Sequence, residues 1–281
     1  MKHTISVLMS VYKSEKGPLL ERALQSVWDD QTRKPEQIVL IEDGALTEEL
    51  YAVIEKWKEK LGEKLVICRN EQNLGLTKSL NKGIGFVTSD LIARSDSDDI
   101  SAPQRFELQE KFFCEHPEID ILGGAMQEFD DDNECLNVRH YPLIHEEACR
   151  YIVKACPLAH PAVMMRKRIF DDGLRYDERY RMSQDIKLWY DAILAGYRMA
   201  NLQEIILFFR QQGDVFRRRS RVKAWNEFKI YMNGIYRMHG LSTLAYRYPI
   251  ARYVFRNLPP SLVKRIYESG MRKKVLEGNL K

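Results

Sequence analysis

The sequence predicts an α/β fold in which a parallel sheet is covered by helices. Strand-like apolar segments alternate with segments of helical periodicity through the first third of the chain, and only short breaks separate them. Parallel strands joined by crossover helices produce this alternation, because the helices cover the faces of the sheet. In addition, polar clusters follow several of the predicted strands, at the edge where open α/β sheets bind their ligands.

The first hundred residues contain four candidate strands and the helices that connect them. The strands are expected at four short apolar segments: 5–12, 37–44, 64–70 and 90–99. After Pro18, apolar residues recur at helical spacing and predict the first helix. Thr47 is a candidate N-cap for a second helix that Gly62 ends, and 77–87 is predicted to form a third.

Further elements are predicted between residues 103 and 194. A helix is expected over 103–114, opened by its proline, and a strand over 119–130. The segment 160–170 is expected to form a strand that runs into a short helix. Ser183 is a candidate N-cap for a helix over 184–194, whose apolar residues line one face.

Charge divides the chain into an acidic body and a basic tail. Residues 1–214 carry 28 Lys/Arg against 37 Asp/Glu, whereas residues 215–281 carry 16 against 3, and the whole chain has a net charge of +4. We therefore expect a domain over 1–214 and a basic, aromatic-rich helical tail over 215–281, broken at Pro259–Pro260. The arginines at 217–219 suit a donor diphosphate, lipid headgroups or simple solvation; interleaved aromatic residues favour lipid headgroups.

The cysteines and the hydropathy pattern indicate in which cellular compartment the chain is expected. The five cysteines form no CxxC pair, so neither a disulfide framework nor a zinc site is indicated, and a reduced, cytoplasmic setting is expected. The N-terminal segment lacks the features of a signal peptide. No run approaches the roughly 18 apolar residues of a membrane span, so any membrane contact is expected to be peripheral.

An acidic cluster follows the fourth predicted strand. Strand alternation places Asp96 and Asp98 on the same side of the chain. Carboxylates arranged in this way can hold a hard divalent cation, which can neutralise a diphosphate. An acidic loop or a helix cap is the structural alternative for this cluster.

Five segments together resemble one enzyme family. In order, they are SVYK (10–13), the acidic pair at 42–43, NLGLTKSLNKGI (73–84), ARSDSDDIS (93–101) and SQDIKLW (183–189). The chain resembles family 2 glycosyltransferases of the GT-A fold, especially bacterial enzymes that build O-antigen and exopolysaccharide repeat units. The resemblance covers roughly residues 3–210 and implies a Rossmann-like mixed sheet. It also implies a nucleotide-sugar half over about 1–100 and an acceptor half over about 101–214.

The resemblance implies a set of donor-binding residues. Asp43 would accept a hydrogen bond from the uracil ring, although a turn at Asp43–Gly44 is an equally good local interpretation. Asp96 would bind the ribose or the donor sugar. The complete set that the resemblance implies is Ser10, Val11, Tyr12, Glu42, Asp43, Gly75, Lys78, Asn81, Arg94 and Asp96.

The resemblance also assigns the metal and the general base. Asp98 would bind Mn²⁺ or Mg²⁺ that bridges the two phosphates, and His160 would complete the metal site unless it is a structural histidine. Asp185 would be the base that accepts the proton of the acceptor hydroxyl, unless it is only a capping acid at a helix N-terminus. The remaining implied residues of the acceptor region are Asp99, Gln184 and Trp189.

The implied activity is inverting transfer of a hexose, galactose or glucose, from a UDP-sugar to a lipid-linked acceptor. The expected acceptor is GlcNAc on undecaprenyl diphosphate at the inner face of the bacterial cytoplasmic membrane, with the tail on the anionic surface and no nucleic acid as partner. Whether the chain forms a homo-oligomer is left open. Two alternatives are a sugar nucleotidyltransferase, whose early glycine-rich basic loop is absent, and a non-catalytic protein that binds membrane or nucleic acid through its basic tail.

Overall fold

The computed structural model describes residues 2–130, 134–211 and 221–258. The chain divides into two compact units, residues 1–213 and 214–281. The expected boundary after residue 214 and the arginines at 217–219 lie outside the described residues, as does the break at Pro259–Pro260. Among the described residues, no helix combines the length and the apolar character needed to cross a bilayer.

The first unit is built from strands and helices that follow the predicted alternation. Its strands are β1 (Ile5–Val11), β2 (Gln37–Asp43), β3 (Leu65–Asn70), β4 (Leu91–Asp96), β5 (Ile100–Ser101), β6 (Ile121–Phe129), β7 (Cys135–Arg139), β8 (Met164–Arg166) and β9 (Met199–Arg210). Its α-helices are α1 (Gly17–Val27), α2 (Glu48–Leu61), α3 (Leu76–Ile84), α4 (Arg105–Glu115), α5 (His145–Tyr151), α6 (Arg168–Asp171) and α7 (Gln184–Leu194).

These strands form one mixed sheet in the order β3-β2-β1-β4-β8-β6-β9-β5, with β7 paired to β6. The strands β1 to β4 are parallel, and β8 is antiparallel to both β4 and β6. β9 then runs parallel to β6. The carboxyl ends of β1 to β4, β6 and β9 therefore lie along one edge of the sheet, and the mixed sheet predicted from the sequence is confirmed.

Different helices cover the two faces of the parallel part of the sheet. Val7 and Met9 of β1 belong to a buried apolar cluster that also contains residues of α1, α2 and α4. On the opposite face lies α3, where a Cβ added to Gly83 would stand 2.6 Å from side-chain carbons of Leu8 and Ile41. This close approach requires glycine, and it holds α3 against β1 and β2.

The helix caps agree with the sequence at α2 and differ at α7. The hydroxyl of Thr47 accepts the backbone N–H of Leu50, and Gly62 follows the helix with φ +57°, so the predicted cap residues of α2 are confirmed. Ser183 precedes α7, but its side chain makes no capping hydrogen bond. Its φ of +64° is the only positive value at a non-glycine residue within the described ranges. Ser183 thus lies at the predicted N-cap position of α7, but without the side-chain hydrogen bond that is typical of a cap.

The described part of the second unit is a helical hairpin. Its helices are α8 (Arg221–His239) and α9 (Arg247–Asn257). Trp225 and Phe228 of α8 pack against Tyr253 of α9, with ring centroids 5.6 and 4.9 Å from that tyrosine. Arg256 of α9 also pairs with the buried Glu227 of α8 at 2.6 Å. The aromatic cluster and the Glu227–Arg256 ion pair thus join the two helices.

Candidate active site

The sheet register brings the predicted donor residues side by side. Val11 at the end of β1 lies opposite Glu42 of β2, and Ser10 lies opposite Asp96 of β4. Asp43 in turn lies opposite Asn70 at the end of β3. Three residue pairs that are distant in sequence therefore meet at one edge of the sheet. Tyr12 follows β1 directly and is 47% exposed, so its ring is accessible beside this edge.

Asp43 is buried and orders the loop that leads into α3. Its carboxylate accepts the side-chain N–H of Asn70 at 3.0 Å, the backbone N–H of Leu74 at 2.8 Å and that of Gly75 at 2.9 Å. Gly44 follows with φ +86°, so the chain also turns here. A carboxylate offers about four acceptor positions, and these three contacts leave about one for a ligand.

Glu42 is buried beside this group with one oxygen committed. Its Oε2 accepts the N–H of Arg69 at 2.8 Å. Its Oε1 is buried and accepts no hydrogen bond from the described residues. Because an unpartnered buried carboxylate oxygen is costly, this atom is a candidate acceptor for a ligand N–H or O–H group.

Arg94 supports Asp96. The resemblance places Arg94 among the donor-binding residues, but the structure buries it to 2% exposure and directs two guanidinium N–H groups to the carboxylate of Asp96. This two-pronged pairing fixes the orientation of the carboxylate. Arg94 therefore positions the carboxylate of Asp96. Its Nε is buried without a hydrogen-bond partner among the described residues, and contact of Arg94 with the donor stays a prediction.

Three carboxylates converge at the end of β4. One oxygen each from Asp96, Asp98 and Asp99 lies within 4.8 Å of the others, and this is the only such cluster with three or more candidate metal ligands in the described ranges. Burial, followed by repulsion from the carboxylates of Asp96 and Glu15, raises the pKa of Asp98 to about 7. Burial and the charges of Asp96 and Asp98 likewise raise the pKa of Asp99 well above its usual range.

A divalent cation fits this cluster. Asp99 Oδ2 is buried and accepts no hydrogen bond from the described residues. Burial, followed by repulsion between the acids, raises the pKa values of Asp98 and Asp99, so a bound cation would stabilise their ionised forms. Hard oxygen donors of this kind suit Mg²⁺ or Mn²⁺.

Two arginines that the sequence analysis missed frame the acidic loop. Arg210, at the end of β9, donates its backbone N–H to Asp99 Oδ1 at 2.9 Å and its Nε–H to the carbonyl of Asp98 at 3.2 Å. Arg105 of α4 is fully buried and donates to the carbonyl of Arg94 at 2.7 Å and to Ser101 Oγ at 3.0 Å. Neither arginine lies in a recognisable sequence motif, because their contacts with Arg94, Asp98 and Asp99 form only in the folded chain.

The start of α3 packs against the segment that precedes α7. Asn81 donates to the carbonyl of Tyr176 at 2.9 Å and accepts its backbone N–H at 3.0 Å. Gly75 has φ +86°, a backbone conformation that favours glycine, and a Cβ there would lie 3.2 Å from Nε of Arg181. Asn81 thus has a structural role between α3 and this segment, and its implied nucleotide contact stays a prediction. Lys78, one turn earlier, is exposed.

His160 pairs with Tyr176, and its ring lies beside Trp189. A hydrogen bond of 2.8 Å joins His160 Nε2 to the Tyr176 hydroxyl. Burial, followed by the charge of Arg94, lowers the pKa of His160 well below its usual value, so the ring is neutral at pH 7. The structure does not place His160 in the described carboxylate cluster. Its contacts correspond to the structural alternative that the sequence left open.

Asp185 is the second residue of α7 and is half-buried. The thiol of Cys156 donates to the Leu158 carbonyl at 3.1 Å, and its sulfur lies 3.8 Å from Asp185 Oδ2. Burial, followed by the charge of Asp185, raises the pKa of this thiol well above its usual value, so it remains protonated at neutral pH. Trp189 lies one helical turn further and is fully buried, and Gln184 is buried beside Asp185 in sequence.

Tyr176 connects the two halves of the candidate site. Burial raises the pKa of its hydroxyl, and the carboxylates of Asp185 and Asp96 raise it further, so both acids lie close enough to act on this phenol electrostatically. The candidate base and one acid of the cluster therefore both act on the same buried hydroxyl.

Comparison with known proteins agrees with this geometry. The model of glycosyl transferase family 2 matches residues 6–219. The chain is 37% identical to an uncharacterized glycosyltransferase of Haemophilus influenzae, with 95% of this chain and 99% of that protein covered. It is 32% identical to the amylovoran biosynthesis glycosyltransferase AmsE of Erwinia amylovora, with 94% and 97% covered.

A third relative has a named activity. The chain is 30% identical to the Escherichia coli protein named UDP-Gal:alpha-D-GlcNAc-diphosphoundecaprenol beta-1,3-galactosyltransferase, with 95% of this chain and 96% of that protein covered. Among solved structures, the mannosyltransferase PcManGT from Pyrobaculum calidifontis, in complex with GDP-Man and Mn²⁺, superimposes with a TM-score of 0.64 at 13% identity, covering 100% of this chain and 77% of that one. The GT-A fold expected from the resemblance is confirmed. The chain is a glycosyltransferase and belongs to glycosyl transferase family 2.

Proposed function

We propose that the chain transfers a hexose, galactose or glucose, from a UDP-sugar to GlcNAc on undecaprenyl diphosphate, with inversion at the anomeric carbon. The reaction would serve bacterial O-antigen or exopolysaccharide synthesis. The observation that carries the proposal is the convergence of Asp96, Asp98 and Asp99 at the same sheet edge as the buried acids Glu42 and Asp43. The names of the relatives from Escherichia coli and Erwinia amylovora support the substrate class and the pathway class.

The first two strand ends would hold the nucleotide. Asp43 has about one acceptor position left, and Glu42 Oε1 is buried without a described partner, so both can accept donor groups of a uracil or ribose. The exposed ring of Tyr12 offers an apolar face beside them. Lys78 is exposed at the start of α3, where a phosphate would be stabilised by its charge.

The acidic cluster would hold Mn²⁺ or Mg²⁺ through Asp98, with Asp96 and Asp99 close by. When bound, such an ion supplies positive charge that stabilises the departing diphosphate. Arg94 fixes the carboxylate of Asp96, and Arg210 fixes that of Asp99, so the cluster is organised before a ligand arrives.

Asp185 would act as the general base. Its carboxylate accepts the proton of the acceptor hydroxyl while that oxygen forms a bond to the anomeric carbon. The bond from this carbon to the diphosphate oxygen breaks, and the nucleoside diphosphate leaves with the electron pair. Attack from the face opposite the leaving group inverts the anomeric configuration. The helix α7 provides a rigid support for this carboxylate, and the sulfur of Cys156 lies 3.8 Å from its Oδ2.

The acceptor and the tail would place the enzyme at the inner face of the bacterial cytoplasmic membrane. An acceptor attached to a lipid carrier is confined to the bilayer surface, and the tail has 16 Lys/Arg against 3 Asp/Glu over residues 215–281. Basic residues near an anionic leaflet contribute about 1 kcal/mol each to attachment. Several such contacts would hold the enzyme at the surface reversibly.

The test is a donor and acceptor panel. UDP-galactose, UDP-glucose, UDP-GlcNAc and GDP-mannose are incubated with the chain, Mn²⁺ and a synthetic GlcNAc-diphosphate-lipid. We expect transfer from UDP-galactose or UDP-glucose and a β-linked product by NMR. Transfer from GDP-mannose alone would contradict the donor assignment, and an α-linked product would contradict inversion. Formation of UTP from a UDP-sugar and pyrophosphate would instead support a nucleotidyltransferase.

A further inference from the structure

The turn of the α8–α9 hairpin exposes two leucines. Leu241 and Leu244 are each 80% exposed, which makes them the most exposed large hydrophobic side chains in the described part of the chain. They contribute almost no burial to the fold of the hairpin. Two large apolar side chains exposed to water at one turn are typical of a surface that binds a partner or a membrane.

This turn is ordered by its own hydrogen bonds. The hydroxyl of Tyr246 donates to the carbonyl of Gly240 at 2.8 Å, across the base of the turn. The hydroxyl of Thr243 accepts the backbone N–H of Ala245 at 3.2 Å. The two leucines therefore occupy a fixed turn, and their exposure follows from its geometry.

Further aliphatic side chains are exposed on α9 and at the start of α8. Ile250 and Val254 are four residues apart, so they share one face of the helix, and they are 47% and 55% exposed. Val222 at the start of α8 is 63% exposed. By contrast, the aromatic rings of Phe228 and Tyr253 contact each other within the hairpin. Trp225 and Tyr236 are 47% and 54% exposed, so the exposed apolar side chains of the hairpin are both aliphatic and aromatic, and the two leucines of the turn are the most exposed of them.

The charge around this surface has one sign. Residues 221–258 contain seven Lys/Arg and a single acid, Glu227. This acid is buried and paired with Arg256 at 2.6 Å. Arg237 and Arg247 flank the turn in sequence, on either side of the two leucines. Exposed aliphatic side chains between basic residues match an anionic lipid surface, because headgroup phosphates meet the arginines where acyl chains meet the leucines.

We propose that the turn inserts Leu241 and Leu244 into the interfacial region of a bilayer rich in anionic lipid. The inference rests on the proposed function, in which the acceptor is carried by a membrane lipid. It goes further by naming an insertion point, whereas the charge of the tail alone predicts only electrostatic attraction. Binding should therefore depend on apolar side chains as well as on salt.

The test compares two double variants of the full chain. Leu241→Ser with Leu244→Ser removes the proposed insertion point. Leu136→Ser with Val138→Ser is the matched control, because these β7 residues are also exposed, at 43% and 41%. Co-sedimentation is measured with vesicles of phosphatidylcholine alone and with 30% phosphatidylglycerol, and circular dichroism and thermal unfolding check that each variant is folded.

We expect the unchanged chain to bind the anionic vesicles, the turn variant to bind them at least tenfold more weakly, and the control to bind within twofold of the unchanged chain. Equal binding of the folded turn variant, or no binding by the unchanged chain, overturns the proposal. The proposal is also overturned if the unchanged chain forms a concentration-dependent dimer, the turn variant does not, and both bind vesicles equally. In that case the leucines contact a second copy of the chain. Transfer by the unchanged chain to a water-soluble GlcNAc-diphosphate acceptor tests the proposed function separately, since that reaction needs no bilayer.

Discussion

The backbone N–H of Arg210 donates to Asp99 Oδ1 across 2.9 Å, although 111 residues separate them in sequence. The guanidinium of the same arginine reaches the carbonyl of Asp98 and lies 4.5 Å from the centre of the Phe129 ring. The end of β9 thereby fixes the loop that carries the proposed metal ligands. Arg210 is a positioning residue for that site, because it orients the carboxylates through the backbone of their loop.

Arg210→Gln should therefore weaken Mn²⁺ binding by about tenfold, because loss of a group that orients metal ligands typically costs 10- to 100-fold in affinity. The backbone hydrogen bond to Asp99 remains in this variant, so the loop is loosened without being released. Binding is measured by electron paramagnetic resonance titration of Mn²⁺ in the presence of UDP. Arg179→Gln is the control, since Arg179 is largely exposed and paired only locally with Asp177. An unchanged Mn²⁺ affinity in Arg210→Gln would exclude this positioning role.

The raised pKa of Asp98 predicts how stability depends on pH in the metal-free chain. The folded state keeps the Asp98 proton up to about pH 7, whereas an unfolded chain releases it near pH 4. Between these values the folded state binds more protons, so its stability is greatest at the acidic end and falls as the pH rises towards 7. Asp98→Asn should flatten this part of the pH profile in thermal unfolding.

The same carboxylate should make metal binding stronger at higher pH. Because the ion binds the deprotonated group, apparent Mn²⁺ affinity should rise about tenfold per pH unit below pH 7 and level off above it. Stabilisation by Mn²⁺, measured as the increase in Tm, should follow the same course. Asp98→Asn should lose this stabilisation at every pH. If Mn²⁺ raised the Tm of Asp98→Asn as much as that of the unchanged chain, Asp98 would not be a metal ligand.

Asn81 and Lys78 lie on the same helix and should respond differently to truncation. Asn81→Ala leaves backbone groups of Tyr176 without partners, which costs about 1–3 kcal/mol, or several degrees in Tm. Lys78→Ala should leave the Tm unchanged and weaken UDP binding, since the side chain is exposed at the proposed phosphate position. Thermal unfolding and isothermal titration with UDP check both variants. If Asn81→Ala instead weakened UDP binding without lowering the Tm, Asn81 would be a nucleotide-binding residue.

The fold could be predicted from the sequence wherever local patterns determine the structure. The strands that end at Val11, Asp43 and Asp96 are apolar runs followed by polar residues, and both features can be recognised without knowledge of distant contacts. The strands after residue 130 were harder to predict from the sequence. Strand β9 carries polar residues in its middle and pairs with β6 through register shifts, so its pattern is not that of a regular strand.

Site residues were predictable when their chemistry is carried by a local motif. Asp96 and Asp98 could be recognised from their spacing after a strand. Arg105 and Arg210 could not, since each acts through a tertiary contact with the acidic loop. The contact between Cys156 and Asp185 could not be predicted either, because 29 residues separate them in sequence and no local pattern links them.

The most direct test of the account is the transfer reaction of Asp185→Asn at saturating UDP-sugar and Mn²⁺. The variant keeps the size of the side chain and removes its basicity, so UDP and Mn²⁺ should bind as in the unchanged chain. Product formation, measured with radiolabelled hexose and a GlcNAc-diphosphate-lipid acceptor, should fall by about 10²-fold or more, because general bases contribute about 10²–10⁴ to rate. A variant that transfers hexose at the unchanged rate would contradict the assignment of Asp185 as the base, and with it the proposed mechanism.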